Sequence, residues 1–337
     1  MIDELSQKLL ENFGKIQPDI HPPSKLIPVL QSRRRIIIFF FDGDSSLPYP
    51  IAVVKINRLP SENKKLEDSA RKMEIVRSML DPSICSTVPR VALLGQINGL
   101  SAVAETGLKG NSIRSHSLKI PLSRIFEKDC RPFANWLLNF QSQTITGYEI
   151  ITEDLISNLL FDPLFHFFEQ FQQEKSIIDW LRWKAEKLIG LKIPICWRFG
   201  DAHPSNILIT NHLVSGVVDW EGLQADQWPI FDWFQFVFTY AIECTYKTHP
   251  SWNQDELANE ALNLLIVYPP SSGISYAIQT ETKQFLQSYG LDPETFYPLL
   301  MLFLLKLNWI GEKKVLLNNC VRHFVECSHN LKSIDLG

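Results

Sequence analysis

Three oxygen-bearing side chains are spaced so that they could act together. Asp201 and Asn206 lie in the stretch Trp197-Arg198-Phe199-Gly200-Asp201-Ala202-His203-Pro204-Ser205-Asn206-Ile207-Leu208-Ile209. After a short gap, Gly216-Val217-Val218 leads into Asp219-Trp220-Glu221. The apolar runs on either side of the gap read as a β-hairpin. A loop in front of it would carry Asp201 and Asn206, and its second strand would deliver Asp219 to the same end. Carboxylate and amide oxygens are ligands that suit magnesium. A further carboxylate could orient the proton of an attacking hydroxyl. Phosphoryl transfer calls for both, because it depends on positioning and on charge neutralisation.

In protein kinases the same spacing separates the aspartate and asparagine of the catalytic loop, and a later aspartate holds the metal. At these residues the chain resembles the aminoglycoside phosphotransferase and choline kinase-like family. That family's pattern runs His-Gly-Asp-x-His-Pro-x-Asn-Ile-Leu, then Gly-x-Ile-Asp-Trp/Phe-Glu, then a proline and an aspartate. The matching blocks here are Phe199 to Leu208, Gly216 to Glu221, and Pro229-Ile230-Phe231-Asp232. The resemblance implies a two-lobed, protein-kinase-like α+β fold. It also implies Mg²⁺-assisted transfer of the γ-phosphate of ATP or GTP to a hydroxyl of a small molecule, whether amino-sugar, choline-like compound, sugar or other alcohol. Asp201 would be the catalytic base, and Asn206 and Asp219 the metal ligands.

One departure is Phe199, where the family has a histidine that braces the loop. It keeps open a second reading, a weak or inactive pseudokinase serving as a nucleotide-binding or scaffold module. A protein acceptor is disfavoured by the short segment between Asp219 and Asp232. A hydrolase with Asp201 and Asp219 as its acid pair would leave Lys55 and Asn206 unexplained.

The resemblance also implies an upstream lysine that contacts the phosphates and pairs with a helix glutamate. Lys55 lies in the apolar run Ile51-Ala52-Val53-Val54-Lys55-Ile56, where a buried ammonium would need a partner. Glu74 is the expected partner, with Glu67 as the alternative on nearly the same helix face. Glu105 and Gly107 fall where the hinge would hold the adenine edge through backbone groups. A glycine-rich phosphate loop is not visible. Asp42-Gly43-Asp44-Ser45-Ser46 reads as an exposed hairpin turn, and Arg33-Arg34-Arg35 as the charged mouth of a strand or a phosphate- or partner-binding patch. His203 is either a loop-bracing donor or a general base. Asp232 reads as a helix-capping, loop-stabilising acid, and Glu221 as an acid near the metal or facing substrate.

The elements that must position these residues divide the chain in two. Residues 1–24 read as a helical extension ending in a proline-rich break. Residues 25–107 read as a nucleotide-binding sheet, in the order strand–turn–strand–helix–strand–strand. Residues 108–337 are mostly helical, with the catalytic hairpin and the acceptor site. Aromatics such as Phe161, Phe165, Phe167, Phe168, Trp180 and Trp183 stand at core-like helical spacing.

A net charge of −4 gives no basic footprint for nucleic acid. The longest apolar run, Leu299 to Leu305, is too short to span a bilayer. The acidic N-terminus is unlike a signal peptide. The six cysteines show no C-x-x-C pair, so reduced thiols in a cytoplasmic protein are expected. Cys320, His323, Cys327 and His329 match no zinc module and read as one mixed helical face.

Overall fold

The computed structural model describes residues 2–16, 22–32, 35–44, 49–115, 122–169, 175–266, 273–309, 320, 322–324 and 327. The first lobe opens with helices α1 (Ile2–Glu11) and α2 (Phe13–Ile16), then strands β1 (Leu26–Ser32), β2 (Ile36–Asp42) and β3 (Ala52–Ile56). Helices α3 (Asn63–Met79) and α4 (Pro82–Cys85) precede β4 (Val91–Ile97) and β5 (Leu100–Thr106). The strands form one antiparallel sheet in the order β1-β2-β3-β5-β4.

Alternation along the strands sorts the residues onto two faces. Ile38, Phe40, Val54 and Ile56 form one core with Leu5 and Leu9 of α1 and Phe13 of α2. Lys55, Val103 and Glu105 share the other face, where Leu66 and Ala70 of α3 pack on Val103. The hairpin between β4 and β5 turns at Asn98 and Gly99, both with positive φ, as a two-residue turn requires.

β1 corrects the expected strand order, because it adds a strand at Leu26–Ser32 ahead of the first one expected. Pro28 is tolerated there because β1 is an edge strand, where a missing N–H interrupts no ladder.

The second lobe starts with β6 (Asn111–Ser112), α5 (Leu122–Gln143), β7 (Ile145–Ile150), α6 (Glu153–Ile156), α7 (Asp162–Glu169) and α8 (Lys175–Glu186). Strands β8 (Lys192–Arg198), β9 (Ile207–Thr210), β10 (Leu213–Val217) and β11 (Gln224–Gln227) follow. Helices α9 (Ile230–Thr248), α10 (Gln254–Ile266), α11 (Gly273–Gln287) and α12 (Phe296–Trp309) complete it. Two three-stranded sheets, β10-β9-β6 and β11-β8-β7, are set among the helices. Phe133, Trp136 and Phe140 of α5 pack with Trp220 and with Phe236 of α9 in a buried aromatic cluster beneath the hairpin. Among the described residues no helix is long and apolar enough to cross a membrane.

Candidate active site

The loop from Phe199 to Asn206 joins β8 to β9, and Asp219 follows β10, so one hairpin carries all three oxygen groups. Two short backbone bonds curl the loop: His203 N donates to Asp201 O at 2.8 Å and Asn206 N to His203 O at 2.8 Å. Val218 N donates to Asn206 O at 2.9 Å, which sets Asn206 beside the metal-motif aspartate. Asn206 Nδ2 donates to Asp201 Oδ2 at 2.8 Å and to Asp201 O at 3.1 Å. Its nitrogen thus faces the Asp201 carboxylate. Its oxygen, which accepts from Ser205 Oγ at 3.2 Å, turns to the other side.

Asp219 has φ +68°, a left-handed conformation that aspartate adopts more readily than most residues. Its half-exposed carboxylate reaches across to the first lobe, with Oδ1 3.5 Å from Lys55 Nζ. Gly200 also has positive φ, and a Cβ there would collide with the carbonyl oxygen of Gly222. A Cβ on Gly222 would meet the backbone of Gly200 in turn. The loop from Phe199 to Asn206 and the segment after Asp219 therefore touch main chain to main chain.

Phe199 is fully buried, edge-on to Trp220 with centroids 4.8 Å apart. The loop is held by Asp232, which accepts from Phe199 N at 2.6 Å, Gly200 N at 2.9 Å and Arg198 Nε at 3.0 Å. This refines the expectation for Asp232. It stabilises the loop, but Pro229 occupies the N-cap of α9, and Asp232 makes no side-chain cap bond.

Lys55 is buried, with Nζ 3.1 Å from Glu105 Oε1. Burial works against its charge, but Glu105 and then Asp219 outweigh it and hold its pKa above the usual lysine value. The expected partner is displaced. Glu74 is half exposed and accepts from Val91 N at 2.9 Å. Glu67 accepts from Ser101 Oγ at 2.6 Å instead. The face of α3 toward the sheet carries Leu66, Ala70 and Met73, so no glutamate of that helix is turned to Lys55. Strand β5 supplies one instead: Val103 is paired with Lys55, and Glu105 sits one step along the same face.

The hinge expectation changes accordingly, since Glu105 contributes its side chain to the lysine. Gly107 N donates to Ile51 O at 2.9 Å and so extends the β3–β5 ladder rather than presenting its N–H. A Cβ at Gly107 would collide with Pro50 O, which accounts for the glycine.

His203 braces the loop as expected, but as an acceptor. Its Nδ1 receives Ser205 N at 3.2 Å and lies 2.8 Å from Ser205 Oγ. Its Nε2 faces Glu243 at 3.7 Å. Burial, and next the charge of Asp219, push the Asp201 carboxyl up to about 6 against the pull of Asn206. That suits a group that must accept a proton near neutrality.

Arg35 was not singled out from the run Arg33-Arg34-Arg35, of which Arg33 and Arg34 lie outside the described residues. It forms an ion pair with Glu221 across the lobes. The turn at Asp42-Gly43-Asp44 lies at the opposite end of the strands, where Gly43 N bonds Lys25 O and Asp44 accepts from Ser24.

Away from the site, His323 Nε2 lies 2.8 Å from Asn263 Oδ1 and 3.5 Å from Cys327 Sγ, while Cys320 is buried and His329 is outside the described residues. Of the aromatics read as core, Phe161 and Trp180 are buried, whereas Phe165 and Trp183 are exposed. Phe167 and Phe168 lie outside the described side chains. A cavity of about 410 Å³ between β11 and α12 is lined by Glu149, Asp226, Trp228 and Lys306. None of Asp201, Asn206 and Asp219 lines it.

Comparison with known proteins bears directly on this arrangement. The model of the phosphotransferase enzyme family (APH) matches residues 52–243, more than half of the chain. No curated protein matches the sequence significantly. Among solved structures, a thermostable mutant of aminoglycoside phosphotransferase APH(4)-Ia, in ternary complex with ADP and hygromycin B, matches with a TM-score of 0.52 at 12% identity, over 97% of this chain and 98% of that one. Aminoglycoside phosphotransferase APH(3'')-Id from Streptomyces rimosus gives a TM-score of 0.44 at 15% identity, over 88% of this chain and 98% of that one. Macrolide 2'-phosphotransferase MphH from Brachybacterium faecium gives 0.42 at 12%, over 93% and 98%. The chain belongs to the phosphotransferase enzyme family of the aminoglycoside phosphotransferases, and is a small-molecule phosphotransferase with a two-lobed, protein-kinase-like fold.

Proposed function

We propose that the chain transfers the γ-phosphate of ATP or GTP to a hydroxyl of a small molecule, with Mg²⁺ as cofactor. One observation carries this reading: Asn206 bonds Asp201 at 2.8 Å, its backbone is tied to the residue before Asp219, and Asp219 lies 3.5 Å from Lys55 of the other lobe. The acceptor oxygen attacks the γ-phosphorus, the bond to the β–γ bridging oxygen breaks, and the nucleoside diphosphate leaves. Asp201 orients the attacking hydroxyl and takes its proton. Lys55, held charged by Glu105, offsets phosphate charge. The oxygen of Asn206 and the carboxylate of Asp219 are hard donors that suit Mg²⁺. The ion, when bound, would supply charge neutralisation for the transferring phosphate.

A nucleotide and a small-molecule ligand accompany the APH(4)-Ia match, which supports the same two classes of ligand here. The acceptor's hydroxyl has to reach Asp201, so the cavity between β11 and α12 is not its reacting site. Phe199 does not favour an inactive module, because Asp232 ties down the loop that the family histidine would brace.

The test is a panel of amino-sugars, choline-like amines, sugars and simple alcohols, scored by diphosphate release with ATP or GTP and Mg²⁺. With the acceptor that responds, Asp201→Asn should keep nucleotide affinity and lose about 10²–10⁴-fold in turnover. Equal turnover in the variant would overturn the assignment of Asp201.

A further inference from the structure

The strand carrying Lys55 is preceded by two connections. The one between β2 and β3 lies at the Gly107 end of the sheet, where Gly107 N bonds Ile51 O. The one between β1 and β2 lies at the other end, and its last residue, Arg35, meets Glu221 of the metal segment. In kinases a glycine-rich loop covers the phosphates from above. Here residues 32–36, between β1 and β2 in sequence, contain no glycine.

We infer that Arg35 is a phosphate-binding residue that takes over, through its guanidinium, the covering role that backbone N–H groups of a glycine-rich loop would have. The inference rests on the phosphotransferase reading of the same site.

Three observations support it. First, the Arg35 side chain is mostly enclosed, with 12% of its surface exposed, although it belongs to a connection between strands. A surface arginine that only solubilises a turn would extend into water. Second, it is turned into the cleft and surrounded by acids. Glu221 pairs with it; burial lowers its pKa, against the charges of Glu62, Asp219 and Glu105. Lys55 lies 3.5 Å from Asp219, and Arg35 pairs with Glu221 two residues on, so the two cations meet the same short segment. Third, the polar ground beneath the connection is not saturated. The β2–β3 register, continued by one step, sets Arg35 opposite Asn57. Asn57 is fully buried, and neither its side-chain Oδ1 nor its Nδ2 has a hydrogen-bond partner among the described residues.

A planar guanidinium matches phosphate oxygens with two parallel hydrogen bonds, which an ammonium cannot reproduce. Glu221 is then the carboxylate that holds the fork in place and yields it to the β- and γ-phosphates. The requirement is specific to phosphate. A nucleoside has nothing to offer Arg35, and a triphosphate has the most.

The experiment is calorimetric titration of the full chain, in Mg²⁺, with ATP, ADP and adenosine for the parent and for Arg35→Ala, Arg35→Lys and Glu221→Gln, and also with GTP for the parent. Arg35→Ala should weaken ATP about ten- to a hundredfold, ADP less, and adenosine not at all. Arg35→Lys should fold like the parent and recover only part of the ATP affinity. Glu221→Gln should leave ATP affinity equal or tighter. Equal ATP affinity in the parent and Arg35→Ala would overturn the inference alone. So would a loss in Glu221→Gln as large as that in Arg35→Ala, because the pair would then be a structural lock between lobes. A parent that binds none of the three, nor GTP, would overturn the phosphotransferase reading and this inference with it.

Discussion

Asp201 is a carboxyl kept in a place that disfavours its charge, and that has a consequence for stability as well as for catalysis. Its folded pKa of about 6 lies above the ordinary 3.8. Over that interval the folded state binds the proton that the unfolded state releases, so stability falls as pH rises. In metal-free protein, Asp201→Asn removes this effect. The variant should match the parent near pH 4 and exceed it by about 1–3 kcal/mol above pH 6.5, as read from denaturant midpoints across pH. An offset independent of pH would contradict the burial argument.

Lys55 makes a second prediction at this scale. Glu105→Leu leaves a buried ammonium with a longer contact to Asp219 alone, and should cost about 3–5 kcal/mol. Glu74→Ala, in a half-exposed residue, should cost no more than about 1 kcal/mol and leave nucleotide affinity unchanged. Equal losses from the two would contradict the pairing. The closeness of Asp201, Asn206 and Asp219 on one hairpin was legible in the sequence because short local backbone joins them, whereas Lys55 was expected from the resemblance. Glu105 as a side-chain partner was not, since it depends on the register of β3 against β5. Phe199 was legible as a departure but not in its effect, which depends on Asp232 reaching back from α9.

At the scale of elements, the site is made by two segments that touch at Gly200 and Gly222. Gly222→Ala requires one main chain to move, and with it either Asp201 or Asp219. Turnover should fall by more than tenfold while the far-ultraviolet circular dichroism stays that of the parent. Unchanged turnover would show that the contact does not set the geometry.

The sheet of the first lobe and the hairpin β9–β10 follow from β-branched and aromatic runs, and the long helices from their apolar stripes. Strands β7, β8 and β11 escaped because they draw their order from one another. β11 reads Gln-Ala-Asp-Gln, with no apolar alternation, and is extended because it pairs with β8. β1 was hidden by Pro28, whose edge position cannot be known before the sheet is assembled.

Across the whole molecule, the lobes meet at the metal segment. Ser69 Oγ donates to Trp220 O at 3.2 Å and Lys72 Nζ to Leu223 O at 3.5 Å, both from α3. Lys55 reaches Asp219, and Arg35 reaches Glu221. These four links end within residues 219–223, so Asp219 lies in a segment where the two halves meet, while Thr87 and Asp81 of the first lobe also reach Val217, Trp136 and Gln143 of the second. A ligand bound there should stabilise the whole chain by an amount that grows with the logarithm of its concentration over its dissociation constant.

The most direct measurement is therefore thermal unfolding of the parent and of Asp219→Ala with ATP and with GTP, each with Mg²⁺ and with a chelator. The expected result is a rise in Tm with at least one nucleotide that needs Mg²⁺ and disappears in Asp219→Ala. A rise of equal size with the chelator, or in the variant, would contradict the assignment of Asp219 and the magnesium-assisted transfer built on it.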